Sequence, residues 1–272
     1  MDRAIGVFDS GIGGLSVLQA LRAELPHEHF LYIADSGHAP YGERDEAYVL
    51  ARSRAIVQYL ARQNVKALVM ACNTATAAAI RLLRHEHPAL ALVGVEPALK
   101  PAARLTRTGR IGVMATRSTL ASEKFQALRA AQSGGEREIE FVVQPCDGLA
   151  HAIEASAGSG DATKVIALCA DYTRAMGRFG NEMGEIDTLV LGCTHYPFAS
   201  EHLHALVGPQ VQFIDNGEAV ARQTRRLLAD APLAADAPPG RVSLFTSGQP
   251  QALQAAALRW LGLSTPVRVL EF

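Results

Sequence analysis

The chain alternates, almost from end to end, between short apolar runs and stretches whose apolar residues recur every three or four positions. The runs at 5–8, 30–34, 67–71, 91–95, 111–115, 139–143, 188–191, 211–214, 242–246 and 267–270 have the length of strands. They are apolar without a two-residue alternation, the mark of strands buried on both faces. Amphipathic stretches lie between them, such as Leu15, Leu18, Leu21 and Leu25, or Val220, Thr224, Leu227 and Leu228, close to a 3.6-residue period. Buried strands separated by helices predict an α/β fold built on parallel sheet. Gly/Ser-rich breaks at 133–135 and 156–160 and a Pro/Ala-rich stretch at 229–240 read as surface loops, because the alternation continues through them.

The strand ends repeat one another. From Lys66 the chain reads KALVMACNTATA, and from Asp187 it reads DTLVLGCTHYPF. Each is a buried strand, then a small residue, a cysteine, hydroxyl or amide residues, and a helix. AIGVFDSGIGG from Ala4 and RIGVMATRST from Arg110 follow the same plan. Two related half-structures are predicted, each offering a cysteine at a strand's C-terminal end and facing the other across a cleft. Ligands in open α/β sheets bind at such strand ends.

Composition narrows the classes. A chain of 272 residues suits two domains of ordinary size, and 49% apolar against 19% charged residues can bury a sizeable core. Lysine and arginine number 26 against 27 acids, a net charge of −1, which argues against a nucleic-acid partner. No apolar run reaches the roughly 18 residues a membrane span needs, and the N-terminus does not resemble a secretory signal. A soluble cytoplasmic protein without a membrane partner is expected. Cys72, Cys146, Cys169 and Cys193 form no Cys-x-x-Cys pair and no zinc spacing with histidine, so no metal site is expected. The pairs His27/His29, His85/His87 and His202/His204 are spaced by two, share no helix face, and read as solvated surface.

Cys72 and Cys193 are the candidates for chemistry. A thiol at a strand–helix junction lies beside unpaired N–H groups, and the helix dipole there favours the thiolate. Asn73, Thr74 and Thr76 follow one cysteine, Thr194 and His195 the other, and all could hydrogen-bond a thiolate or a substrate carboxylate. Cys146 and Cys169, without such neighbours, read as filler. The glycine loop from Asp9 is close to a dinucleotide fingerprint, and the second strand ends in the acidic Asp35. Ser16 replaces the third glycine, however, and the Asp9 carboxylate would face a pyrophosphate, which counts against NAD. Asp9 suits an ammonium group or a role in proton transfer; alternatively Asp9 and Ser10 cap a helix. In the loop from Asp35, the Tyr41 and Gly42 backbone could hold a carboxylate, or Tyr41 could simply pack down into a turn. Glu154, taken alone, reads as a helix-surface glutamate.

The set DSGIGGLSV from Asp9, ADSGHAPYG from Ala34, ACNTATA from Ala71, GVEPALKPA from Gly94 and LGCTHYPF from Leu191 resembles the glutamate racemases. These belong to the cofactor-independent aspartate/glutamate racemase superfamily. The likeness covers nearly the whole chain, including FTSG from Phe245, with no departure at the motif positions. It implies two pseudo-symmetric parallel-sheet domains facing each other across an active-site cleft, residues 1–97 with 212–272 and residues 98–211. It implies Cys72 and Cys193 as the catalytic pair, and substrate contacts at Asp9, Ser10, Tyr41, Gly42, Asn73, Thr74, Thr194 and His195. Asp9 and His195 would also assist proton transfer, with Glu154 supporting and Thr116 and Thr119 lining the pocket. The implied reaction interconverts L- and D-glutamate without a cofactor, in the cytoplasm, supplying D-glutamate for peptidoglycan; a homodimer is compatible with it.

The residues fit this chemistry on their own terms. Inverting an amino acid at Cα removes a weakly acidic proton from one face and delivers another to the opposite face, which two thiols on opposite walls can do. Lys66, Lys100, Lys124 and Lys164 are the only lysines, and none sits within a strand-end motif where a pyridoxal phosphate lysine would be expected. The rivals are a sister racemase acting on aspartate, another small amino acid or a hydantoin, a non-catalytic amino-acid-binding module, and a thiol hydrolase using Cys193 and His195. Against the last, residues two apart beside a strand end are expected to point differently, and a second cysteine would have no role.

Overall fold

In the computed structural model, which describes residues 3–133, 138–228 and 238–272, each apolar run falls on a strand. The strands are β1 Ile5–Asp9, β2 Phe30–Ala34, β3 Ala67–Met70, β4 Ala91–Gly94, β5 Arg110–Ala115, β6 Glu140–Pro145, β7 Thr188–Leu191, β8 Gln212–Ile214, β9 Val242–Thr246 and β10 Val267–Val269. The helices are α1 Leu15–Glu24, α2 Glu46–Arg62, α3 Asn73–Glu86, α4 Leu99–Leu105, α5 Arg117–Ala121, α6 Glu123–Ser133, α7 Leu149–Ser159, α8 Thr163–Met176, α9 Ser200–Val207, α10 Gly217–Leu227 and α11 Pro250–Leu261. The chain divides into two compact units, Met1–Val95 with Gly217–Phe272, and Glu96–Asn216. Strand β8 pairs with β7, so its residues belong to the sheet of the second unit, and a boundary at residue 212 falls inside it.

Both sheets are wholly parallel, as continuous apolar strands require. The first unit orders its strands β10-β9-β2-β1-β3-β4 and the second β6-β5-β7-β8. Within the larger sheet, β2-β1-β3-β4 repeats the order of the smaller one, strand for strand. In each, strand order reverses between the first strand and the third, so a switch point opens at their C-terminal ends. Asp9 and Cys72 end or follow the two strands flanking one switch point; Thr116 and Cys193 follow those flanking the other.

Each sheet has its own core. In the first unit Phe8, Ile33, Leu68 and Met70 pack with Val49, Ile56, Val57 and Leu60 of α2 and Ala75, Ala79, Ile80 and Leu83 of α3. In the second, Ile111, Val113, Phe141 and Val190 pack with Leu99 and Ala102 of α4 and Phe125 of α6. Among the described residues no helix is long and apolar enough to cross a membrane.

Three expectations need correction. Strand β6 lies two residues later at its far end than the apolar run suggests, because pairing with Arg110–Ala115 sets its length and an edge position accepts Gln144 and Pro145. Residues 156–159 are helical rather than a loop: Ser156 is buried and its Oγ donates to the Ile153 carbonyl, and the helix ends at Gly160 with φ +74°. The paired histidines are not uniformly solvated. His29 Nδ1 accepts from the Arg241 N–H at 2.9 Å, and His204 stacks on Phe213 with centroids 3.7 Å apart. An imidazole has an apolar face, and a spacing of two says nothing of what packs on it. The expected loops at 133–135 and 229–240 fall mostly on 134–137 and 229–237, outside the described residues.

Candidate active site

In the first unit, Asp9 closes β1 and is fully buried. Its Oδ1 accepts from the Ser10 backbone N–H at 2.5 Å and from Ser10 Oγ at 3.0 Å. The glycine loop exists to let the chain pass beneath this carboxylate. A Cβ on Gly14 would stand 2.7 Å from Asp9 Cβ and 3.0 Å from the Tyr32 hydroxyl. The N-cap position of α1 falls on Gly14, so neither Asp9 nor Ser10 occupies it.

Cys72 lies between β3 and α3 in extended conformation, and its sulfur accepts from the Ala75 N–H at 3.5 Å. The thiol is thus the N-cap of a 14-residue helix, where first-turn N–H groups favour negative charge. Cys72 Sγ also lies 3.8 Å from Ser10 Oγ, which joins the ends of β1 and β3. Asn73 and Thr74, buried, open α3 beside it. Tyr41 and Gly42 sit in a 3-10 turn after β2, Gly42 half-buried and Tyr41 buried, with the Tyr41 hydroxyl donating to Asp35 Oδ2 at 2.5 Å. Burial and the neighbouring Asp35 charge raise the Tyr41 pKa, so it stays a neutral donor. The Tyr41 side chain therefore packs down.

In the second unit the equivalent strand end is built differently. Cys193 follows β7 after Gly192, at which a Cβ would meet the Met114 carbonyl at 2.9 Å. No α-helix starts there. The chain turns through Thr194 and His195 into a 3-10 segment, Tyr196–Ala199. His195 has φ −75° and ψ −33°, and this curl brings side chains two apart together: Cys193 Sγ and His195 Nδ1 are 3.7 Å apart. The expectation that these residues diverge is incorrect, because it assumed that extended backbone continued past the strand.

His195 Nε2 lies 2.7 Å from Glu154 Oε1 on α7, so Glu154 is a ring-orienting carboxylate rather than an idle surface residue. Burial disfavours the imidazolium, but hydrogen bonds to Cys193 and Glu154 and their charges outweigh it and hold the His195 pKa well above the ordinary histidine value. Thr194 is buried beside Cys193. Thr116 caps α5, and its Oγ lies 3.0 Å from that of the buried Thr119. These two threonines hold each other and the start of the helix.

The other two cysteines lack such support. Burial pushes Cys169 up to about 11 and raises Cys146 further, with nearby Cys193 adding to it. Both are poor nucleophiles and poor bases at neutral pH. Among the described residues no group of three or more His, Cys, Asp or Glu side chains is gathered as a metal ion would need.

Comparison with known proteins settles the family. The Asp/Glu/Hydantoin racemase family matches residues 13–224. The chain belongs to this family. It groups there with the glutamate racemases and is an isomerase, an amino-acid racemase. It is 47% identical over 265 residues to the glutamate racemase of Ectopseudomonas mendocina, covering 97% of each chain. Glutamate racemase RacE1 of Bacillus anthracis has the same fold, with a TM-score of 0.84 at 30% identity over 99% of this chain and 98% of that one. The Escherichia coli glutamate racemase, solved with L-glutamate and the activator UDP-MurNAc-ala, gives 0.82 at 34% identity and covers 98% of each chain. This racemase keeps the resemblance read from its motifs over nearly its whole length.

Proposed function

We propose that this racemase interconverts L- and D-glutamate by two-base proton transfer, with Cys72 and Cys193 as the bases and no cofactor. The observation that carries the reading is the occurrence of a buried thiol at the C-terminal end of the third strand of each sheet, each with its own polar support. One thiol, as thiolate, takes the proton from Cα. The other, as thiol, delivers its proton to the opposite face, and the inverted amino acid leaves the two sulfurs with exchanged protonation states. The mechanism requires the two sulfurs to address opposite faces of one carbon.

Asp9 serves the Cys72 side, taking up the substrate ammonium or relaying a proton. His195 serves the Cys193 side, oriented by Glu154, and passes the thiol's proton across 3.7 Å. Ser10, Asn73, Thr74, Thr194 and the Tyr41–Gly42 backbone hold the carboxylates, stabilising the charge that spreads onto the α-carboxylate as Cα loses its proton. Glutamate as substrate is supported by the relatives' activity and by L-glutamate in the Escherichia coli structure. Production of D-glutamate for peptidoglycan, in the cytoplasm, follows from the same likeness.

The Cys193–His195–Glu154 arrangement also has the layout of a nucleophile, base and orienting acid, which revives a thiol hydrolase as the second reading. Racemisation in heavy water separates the two. Early product from either enantiomer should carry deuterium at Cα while residual substrate stays mostly protiated, since the new hydrogen comes from the opposite, solvent-equilibrated thiol. Product that keeps the substrate's own hydrogen would overturn the two-base reading. A trapped acyl-enzyme on Cys193, without racemisation, would establish the hydrolase.

A further inference from the structure

One cluster near the Cys72 side is absorbed neither by the chemistry nor by ordinary packing. Asp35, fully buried at the end of β2, has both carboxylate oxygens occupied by three separate segments. Arg52 of α2 grips it with two prongs, Nε to Oδ2 at 3.0 Å and Nη2 to Oδ1 at 2.8 Å. Tyr41 Oη donates to Oδ2 at 2.5 Å, and Ser247 Oγ, from the FTSG turn after β9, donates to Oδ1 at 2.6 Å. Ser247 Oγ in turn accepts from the Gly37 N–H at 3.2 Å, at the start of the loop that carries Tyr41 and Gly42. The Arg52 guanidinium lies 5.6 Å from the ring centre of Phe272, which packs edge-on against Tyr59. A buried carboxylate with four donors is costly to leave half-satisfied, so the network has one low-energy arrangement.

We propose that Arg52 and Ser247, acting through Asp35, are positioning residues that fix the Tyr41–Gly42 turn for substrate binding. The inference rests on the reading that this turn holds a substrate carboxylate. Neither residue touches the reacting atoms. Their effect is to hold the turn so that its backbone donors meet the substrate without first being ordered. Loss of the clamp therefore weakens ground state and transition state alike and appears in KM, leaving proton transfer at the thiols intact.

The test is steady-state racemisation of glutamate by Arg52→Ala, Arg52→Lys and Ser247→Ala, with deuterium incorporation measured alongside. Arg52→Ala should raise KM about tenfold or more with kcat changed less than about threefold, because a charge-assisted bidentate pair is lost. Ser247→Ala keeps the packing and loses one of four donors, so KM should rise a few-fold. Arg52→Lys restores charge but not the two-pronged grip and should fall between wild type and Arg52→Ala. Early product should still carry solvent deuterium in all three. If Arg52→Ala fails to fold, Ser247→Ala and Arg52→Lys decide the matter. Unchanged KM in those two, or a fall in kcat alone, overturns the clamp while leaving the racemase reading standing. A wild-type enzyme that does not racemise glutamate would sink the functional reading itself.

Discussion

The two cysteine-bearing strand ends occupy the same place in the same strand order, yet they support their thiols by different means. At Cys72 the polypeptide itself does the work: the sulfur caps α3 and receives the Ala75 N–H. At Cys193 the helix is displaced by a turn, and a side-chain relay, His195 backed by Glu154, stands where the helix N-terminus would have been. A fixed backbone dipole cannot gain or lose a proton. An imidazole can. Matching topology thus delivers two thiols whose environments answer differently to pH and to mutation, and the Cys193 end is the one that can be tuned by a single side-chain change.

The largest effect expected is from removing either sulfur. Cys72→Ala and Cys193→Ala should each lose racemisation by about a thousandfold or more, since one face then lacks its donor or acceptor. Near-normal turnover in either would dissolve the comparison. Glu154→Gln is the next largest, with kcat/KM reduced about tenfold by loss of the carboxylate that orients His195. That loss should be equal for both enantiomers, because the overall equilibrium between mirror images is unbiased.

Alkylation separates the two ends directly. His195→Asn should slow modification of Cys193 by iodoacetamide several-fold and leave Cys72 unaffected, as only one thiol relies on the relay. A parallel loss at both would show that His195 acts globally. The pH dependence of stability follows from the raised His195 pKa. A histidine held above its unfolded value contributes stability that is fully present below about 6.5 and lost as pH rises through the raised value. The gap in urea midpoint between wild type and His195→Asn should therefore narrow as pH rises above about 6.5, and a gap that widens would contradict the assignment. The smallest effect is at Cys169, remote from both ends in function. Cys169→Ala should cost about 1 kcal/mol of stability through the small cavity left behind, with activity unchanged.

Much of this was legible along the chain. The unbroken apolar runs of β1, β3 and β7 announced parallel sheet because burial on both faces leaves no room for polar positions, whereas β8 and β10 carry exposed Gln212 and Arg268. The paired cysteine motifs pointed to equivalent strand ends because a small residue and a cysteine after a buried strand constrain where the chain can turn. The family likeness located Glu154, which the residue pattern alone would have passed over as surface.

What the sequence by itself determined, then, was the set of elements, the class of fold and the placing of two cysteines just past strand ends, all of which depend on local period and on residue type. Tertiary structure decided what each side chain faces. That His195 curls back to Cys193 depends on the dihedral angles of a turn, and that His204 is a packed ring depends on Phe213 arriving nine residues later. The meeting of Arg52, Ser247 and Tyr41 on Asp35 joins positions up to 212 residues apart. No local period encodes such a meeting, because its energy comes from satisfying one buried charge with donors that only the completed fold brings within reach.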